Sequence, residues 1–217
     1  LSVKESNPDE AIAVLTKATA LQPKNPLAHA ALAVVTQQAG ELEDALKEVE
    51  KSLEIWGDEP EWHAWAANLA AKDFAWEKAI KHLEKAVDLE SDNLEYKLAL
   101  GEAQIQNGEA GSAIDLLEGL DKKAKEKGKV WMLLSKAYMQ HEDWNKALQA
   151  SEHAAAVDRY SPEPVLQSGK IALKLGKSRK AMECARLALK RAPDAAGSLL
   201  FLCDVQKAAG KSIDALC

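Results

Sequence analysis

Alanine recurs at Ala11, Ala45, Ala79, Ala113, Ala147, Ala181 and Ala215, a constant step of 34 residues with no insertion or deletion. A fixed period of this size marks one supersecondary unit copied in tandem. Numbering each copy so that the alanine is its twentieth place gives full repeats at 26–59, 60–93, 94–127, 128–161 and 162–195. Partial repeats at 1–25 and 196–217 flank them, so the whole chain of 217 residues reads as a single array.

Other places of the repeat are constrained too. The eighth is small throughout, as Ala33, Ala67, Gly101, Ser135, Gly169 and Cys203. The twenty-seventh is Ala18, Ser52, Ala86, Leu120, Ala154 and Ala188. Small side chains at fixed places let two helices cross closely. Large apolar residues fill the same face, with Leu32, Leu100, Leu134 and Leu202 at the seventh place and Leu15, Val49, Leu83 and Leu117 at the twenty-fourth. Gly40, Gly108, Gly176 and Gly210 stand where a first helix ends, a position that favours a left-handed cap. Pro23, Pro26, Pro60, Pro162 and Pro193 lie near repeat boundaries, where proline stops one helix or opens the next. Each repeat therefore reads helix, tight turn, helix, loop, and strand-like alternation is absent. The fold class is all-α.

With Trp131, Leu134, Ser135, Tyr138 and Ala147 in one repeat, and "GELEDAL", "FAWEKAI" and "DWNKALQ" in others, the chain resembles the tetratricopeptide repeats along essentially its whole length. The resemblance implies a right-handed superhelical solenoid of antiparallel helix pairs. It also implies a concave surface, lined by the first helix of each pair, that binds a peptide or protein. The physics is consistent, because one helical pair cannot bury its apolar face alone and stacked neighbours bury it together.

Helical geometry assigns the faces. At about 100° per residue, the fourth, seventh, eighth and eleventh places of the first helix share the core face, and the second, fifth, ninth, twelfth and thirteenth lie opposite. The fifth place turns apolar along the array, from Ala30 and Ala64 to Leu98, Met132, Leu166 and Leu200. The twelfth carries Ile105, Met139 and Leu173. A face opposite the core is expected to be polar unless something covers it. Either neighbouring first helices pack on these side chains, or a partner does. The ninth place supplies Asn68, Glu102, Lys136 and Lys170. The two lysines can pair with a partner's carboxylate or, as solvated residues, with Glu102.

One subset of the family holds acidic chaperone tails with lysine and asparagine at the fifth and ninth places. Here the fifth places are Ala, Leu and Met, and only Asn68 offers a matching amide, so a chaperone C-terminal tail is not expected as the partner. The net charge of -6, from 28 basic and 34 acidic side chains, reads as interspersed and argues against nucleic acid. No apolar run approaches the roughly 18 residues a membrane span needs, and no leader pattern opens the chain. Cys184, Cys203 and Cys217 are too few and too unevenly spaced for a disulfide framework or a zinc site, which fits a reducing, cytoplasmic location. No metal or cofactor is expected. His29 and His63 share the core-facing fourth place, where a satisfied buried imidazole is expected rather than a metal ligand. "GEAGSAI" is a repeat turn rather than a phosphate loop, and no nucleophile and base can be singled out. The expected function is a non-enzymatic protein-interaction scaffold. The alternatives are an assembly module associating through its ends or groove, and a regulatory domain of a larger enzyme.

Local departures carry further expectations. Gly119 and Leu120 in "EGLDKKAKEKGKV" predict a shortened or bent second helix and a changed pitch, the alternative being an ordinary solvated loop. Phe74 replaces the turn glycine and resists positive φ, which predicts a turn that is built differently or is helical, with Phe74 and Trp76 folded onto the helical pair. Of the clustered tryptophans, Trp56 is expected in a loop, Trp62 between repeats and Trp65 at the border of the groove, where a partner can stack on it. The partial repeats at both ends lack capping elements, so the array is expected to continue beyond the chain.

Overall fold

The computed structural model describes residues 8–120 and 128–209. Among the described residues there are twelve helices and no strand. They form two compact units, residues 1–107 and 108–217.

The first unit holds α1 (Pro8–Leu21), α2 (Pro26–Ala39), α3 (Leu42–Trp56), α4 (Pro60–Lys72), α5 (Trp76–Leu89) and α6 (Leu94–Gln106). Each helix packs on the next in sequence. The repeated alanines explain why they can approach: Ala45 and Ala79 are fully buried, as are Ala33 and Ala86. Ser52, at a place that is alanine in four of the other five copies, spends its hydroxyl on the Pro26 carbonyl at 2.9 Å, tying the end of α3 to the start of α2. That contact requires the pair to run antiparallel. Asn25 and Asn93 cap α2 and α6 with their side-chain oxygens, and Pro26 and Pro60 occupy first turns whose N–H groups need no helical partner.

The second unit holds α7 (Ala110–Glu118), α8 (Gly128–Gln140), α9 (Trp144–Val157), α10 (Glu163–Lys174), α11 (Ser178–Arg191) and α12 (Ala196–Ala208). Ala113, Ala147 and Ala181 are fully buried here as well. Ser135 bonds the Ala147 carbonyl across α8 and α9. Ser168 of α10 donates to Ser151 of α9 at 2.8 Å. The Arg191 guanidinium donates to the carbonyls of Ala155, Asp158 and Ser161, which pins the α9–α10 connection against α11.

The turns within the repeats at 26–59, 60–93, 128–161 and 162–195 follow one template, and Gly108 shares its positive φ. Gly40, Gly108 and Gly176 have φ of 86°, 87° and 70°. At Gly40 and Gly176 the backbone closes with paired hydrogen bonds back into the helix, Gly40 to Gln37 and Glu41 to Thr36, and Gly176 to Leu173 and Lys177 to Ala172. Phe74 corrects the sequence expectation. It adopts φ of 58° and makes the same pair of bonds, Phe74 to Ala71 and Ala75 to Ala70. Its side chain is 78% exposed rather than folded onto the helices, and stands edge-on to Trp76 with ring centres 6.2 Å apart. Packing of the flanking helices dictates the turn, and the residue accepts a strained backbone to fit it. Glu142, with φ of 62°, does the same in the second unit.

The shortened second helix is present. α7 has 9 residues against 14 in α5 and α9, and ends where Gly119 takes the cap position. The lysine run at 121–127 lies outside the described residues, and the expected change of pitch with it.

Candidate functional site

In the second unit the fifth, ninth and twelfth places of the first helices share one face. Met132, Met139, Leu166 and Leu173 are half-buried, Lys136 and Lys170 are exposed, and Leu200 is 66% exposed. Two contacts tie the face together. Gln167 of α10 donates its amide N–H to the Met139 sulfur of α8 at 2.9 Å. Leu166 Cδ1 lies 4.0 Å from where a Cβ on Gly197 of α12 would stand. Neither Lys136 nor Lys170 makes an ion pair among the described residues. On the second helices, Lys180 of α11 pairs with Glu152, which raises its pKa, and Lys146 of α9 lies 5.1 Å from the centre of the Tyr138 ring.

The charge is less evenly spread than the sequence first suggested. Residues 1–107 carry 10 basic and 20 acidic side chains, and residues 108–217 carry 18 and 14. The apolar face with free lysines therefore belongs to a basic unit.

In the first unit the corresponding face is closed at α6, while on α2 and α4 Ala30, Gln37, Ala64 and Ala71 are half-buried and Val34 is 44% exposed. Leu98 is 1% exposed and Ile105 8%, so these two columns are core at α6. Glu102 is half-buried and Asn68 exposed. Trp65 is half-buried and donates its indole N–H to Gln37 Oε1 at 2.8 Å. The three tryptophans form a ladder, with ring centres 5.7 Å apart for Trp56 and Trp62 and 5.6 Å for Trp62 and Trp65. Trp56 is the last residue of α3 rather than part of a loop, and it is the ring left 52% exposed. The signal for Trp65 was available in Gln37, which precedes it by 28 residues on the neighbouring first helix.

The histidines are held individually. His29, 5% exposed, bonds Glu48 through Nδ1 at 2.6 Å and the Pro23 carbonyl through Nε2 at 3.1 Å. His63 faces His82, Nδ1 to Nδ1 at 3.1 Å, with both rings buried. His82 was not singled out by the sequence. The register does reveal it, since His29 with Glu48 and His63 with His82 are both 19 apart and occupy the same two places of successive repeats. Among the described residues no group of three or more His, Cys, Asp or Glu side chains is arranged to hold a metal ion.

Cys184 is a free, buried thiol whose pKa is pushed up chiefly by that burial. Cys203 is disulfide-bonded, which the uneven spacing of the cysteines did not lead one to expect. Tyr138 bonds Glu118 across α8 and α7, and burial followed by that carboxylate raises the phenol well above its ordinary range. No helix among the described residues is long and apolar enough to cross a membrane.

Solved structures share this architecture. The C-terminal part of a TPR repeat-containing protein from Cytophaga hutchinsonii is similar at 19% identity and a TM-score of 0.73, over 94% of this chain and 82% of that one. MamA from Desulfovibrio magneticus RS-1 is 17% identical with a TM-score of 0.69, over 78% and 97% of the two chains. YrrB, described as a TPR protein with an unusual peptide-binding site, is 18% identical with a TM-score of 0.63, over 88% and 98%. At these identities the likeness is one of fold. No curated protein sequence matches the chain. Family models for the tetratricopeptide repeat match residues 2–69, 70–137 and 164–195. On those matches, which span most of its length, the chain belongs to the tetratricopeptide repeat family.

Proposed function

We propose that this protein is a scaffold whose second unit binds a protein segment on the face of α8, α10 and α12. The tetratricopeptide fold serves protein–protein interaction, and the solved relative YrrB has a peptide-binding site. The observation that carries the reading is the row of Met132, Met139, Leu166, Leu173 and Leu200, open in part or whole to solvent and flanked by Lys136 and Lys170, which make no ion pair among the described residues. Methionine and leucine side chains adapt to apolar groups of varied shape. Each lysine offers an ammonium that gains a charge-assisted hydrogen bond once a carboxylate replaces water. The segment that fits such a face carries acidic residues interleaved with apolar ones. Leu98 and Ile105 act as packing residues in this reading, because their burial leaves no contact area. The protein carries no catalytic role in it.

Selection of a displayed random peptide library on the intact chain tests the reading. Acidic, apolar peptides are expected to be enriched, and Met132→Glu or Lys136→Glu with Lys170→Glu is expected to weaken them at least about tenfold, or 1.4 kcal/mol. Peptides bound equally by the intact and substituted chains would place the binding elsewhere.

A further inference from the structure

The α3–α4 connection of the first unit presents an acidic surface around one aromatic ring. Trp56, at the end of α3, is 52% exposed and is backed by Trp62, with ring centres 5.7 Å apart. Ile55 beside it is exposed, and Glu54, Glu59 and Glu61 are exposed and make no ion pair among the described residues. The fourth carboxylate here, Asp58, lies 3.2 Å from His63 Nε2. Gly57 turns the chain at φ of 111° and returns its N–H to the Leu53 carbonyl, which fixes the backbone next to the ring. Residues 52–61 hold these four acidic side chains and no lysine or arginine.

The second unit has the converse surface. A cleft of about 520 Å³ lies between α9 and α11, floored by Ala155, Ala156 and Leu187 and rimmed by Arg159, Tyr160 and Lys190. Tyr160 is 91% exposed and Leu187 42%. The α9–α10 connection that carries Arg159 and Tyr160 is held in place, because Arg191 donates to its Asp158 and Ser161 carbonyls and the Asp158 carboxylate accepts from the N–H groups of Tyr160 and Ser161. Farther along α9 and α11 the carboxylates are already engaged, Glu152 with Lys180 and Glu183 with Arg179. Neither Arg159 nor Lys190 makes an ion pair among the described residues. The register shows the reversal of sign: the twenty-ninth place is Glu54 and Asp88 in the first unit and Lys190 in the second.

We propose that copies of this chain join head to tail through these two surfaces, with Trp56 of one copy entering the α9–α11 cleft of the next while Glu54, Glu59 and Glu61 meet Arg159 and Lys190. The occupant is a second copy because the chain itself carries the matching segment, acidic and apolar, on a unit with 10 basic and 20 acidic side chains, and the cleft on a unit with 18 and 14. An indole that fills an apolar cleft inside a polar rim is the make-up of a contact that dominates binding. Charge selects this pairing over the like ones, which would set carboxylate against carboxylate or cation against cation. The two surfaces differ, so the contact is heterologous: a joined pair still offers one Trp56 surface and one cleft, and further copies can add. The contact uses second helices and their connections and none of the residues of the α8, α10 and α12 face, so the two readings stand or fall separately.

Sedimentation velocity of the intact chain tests the contact. The average mass is expected to rise above that of a monomer between about 1 and 300 μM, and the association constant to fall at least about fivefold from about 0.05 to 0.5 M salt. Trp56→Ala, and Leu187→Glu combined with Lys190→Glu, are each expected to weaken association at least about tenfold while circular dichroism stays that of the parent. The two variants mixed are expected to form a dimer that grows no further, because one supplies an intact cleft and the other an intact Trp56 surface. Should Trp56→Ala fail to fold, Glu54→Lys with Glu59→Lys removes the same surface from exposed positions and takes its place in the mixture. A parent that stays monomeric over that range, variants that assemble as the parent does, or a mixture that stays monomeric although the parent assembles, would overturn the proposal.

Discussion

A Cβ atom placed on Gly169 would stand 2.4 Å from Cε1 of Phe201 and 3.0 Å from Cβ of Cys184. The Phe201 ring, 2% exposed, occupies the space that a side chain at the eighth place of α10 would need. The small residue read from the repeat register is thus a requirement of ring packing in the second unit. Gly169→Ala gains about 1 kcal/mol of helix propensity but overpacks a buried ring at a cost of about 1–3 kcal/mol. Calorimetry is expected to show a net loss of about 1 kcal/mol, or roughly 2–4 °C in Tm.

Phe74 offers the opposite case. Its positive φ costs about 1 kcal/mol or more, and little is gained in return because the ring is 78% exposed. Phe74→Gly restores the residue found in the turns at Gly40, Gly108 and Gly176. The greater freedom of glycine in the unfolded chain offsets part of the gain. Urea denaturation is expected to show stabilisation of about 0.5 kcal/mol, and a destabilised variant would mean that the Trp76 contact outweighs backbone strain.

These two positions mark how far the sequence could be read. The period of 34, the small eighth place, the mostly small twenty-seventh and the glycine caps of several repeats report packing that recurs from copy to copy, so one chain contains its own comparison. Features that occur once escape that reading. The Phe74 turn copies its neighbours although its own propensity points elsewhere, because the helices on either side set the backbone. Trp65 donates its indole N–H to Gln37, a contact between two places that no other repeat pairs in the same residue types. The apolar face divides in the same way. Leu98 and Ile105 share their columns with Leu166 and Leu173, yet the first two are buried and the last two half-open, a difference set by surroundings that the register alone does not encode.

Cys184 is the free thiol among the described cysteines, and its burial pushes its pKa up from 9.0. Less thiolate at a given pH and little access both slow alkylation. In the native protein near about pH 8, Cys184 is expected to react with iodoacetamide at least about tenfold more slowly than in denaturant, as followed by mass spectrometry of its peptide. Equal rates would show that α10 and α11 open readily around it.

The most direct test of the central claim is hydrogen exchange of the intact chain with and without a saturating acidic, apolar peptide obtained by selection. New protection is expected along α8 and α10 and at the start of α12, and it should vanish when Lys136 and Lys170 are both changed to Glu. Protection that appears instead on α9 and α11, or only in residues 8–106, would contradict a binding face on the first helices of the second unit.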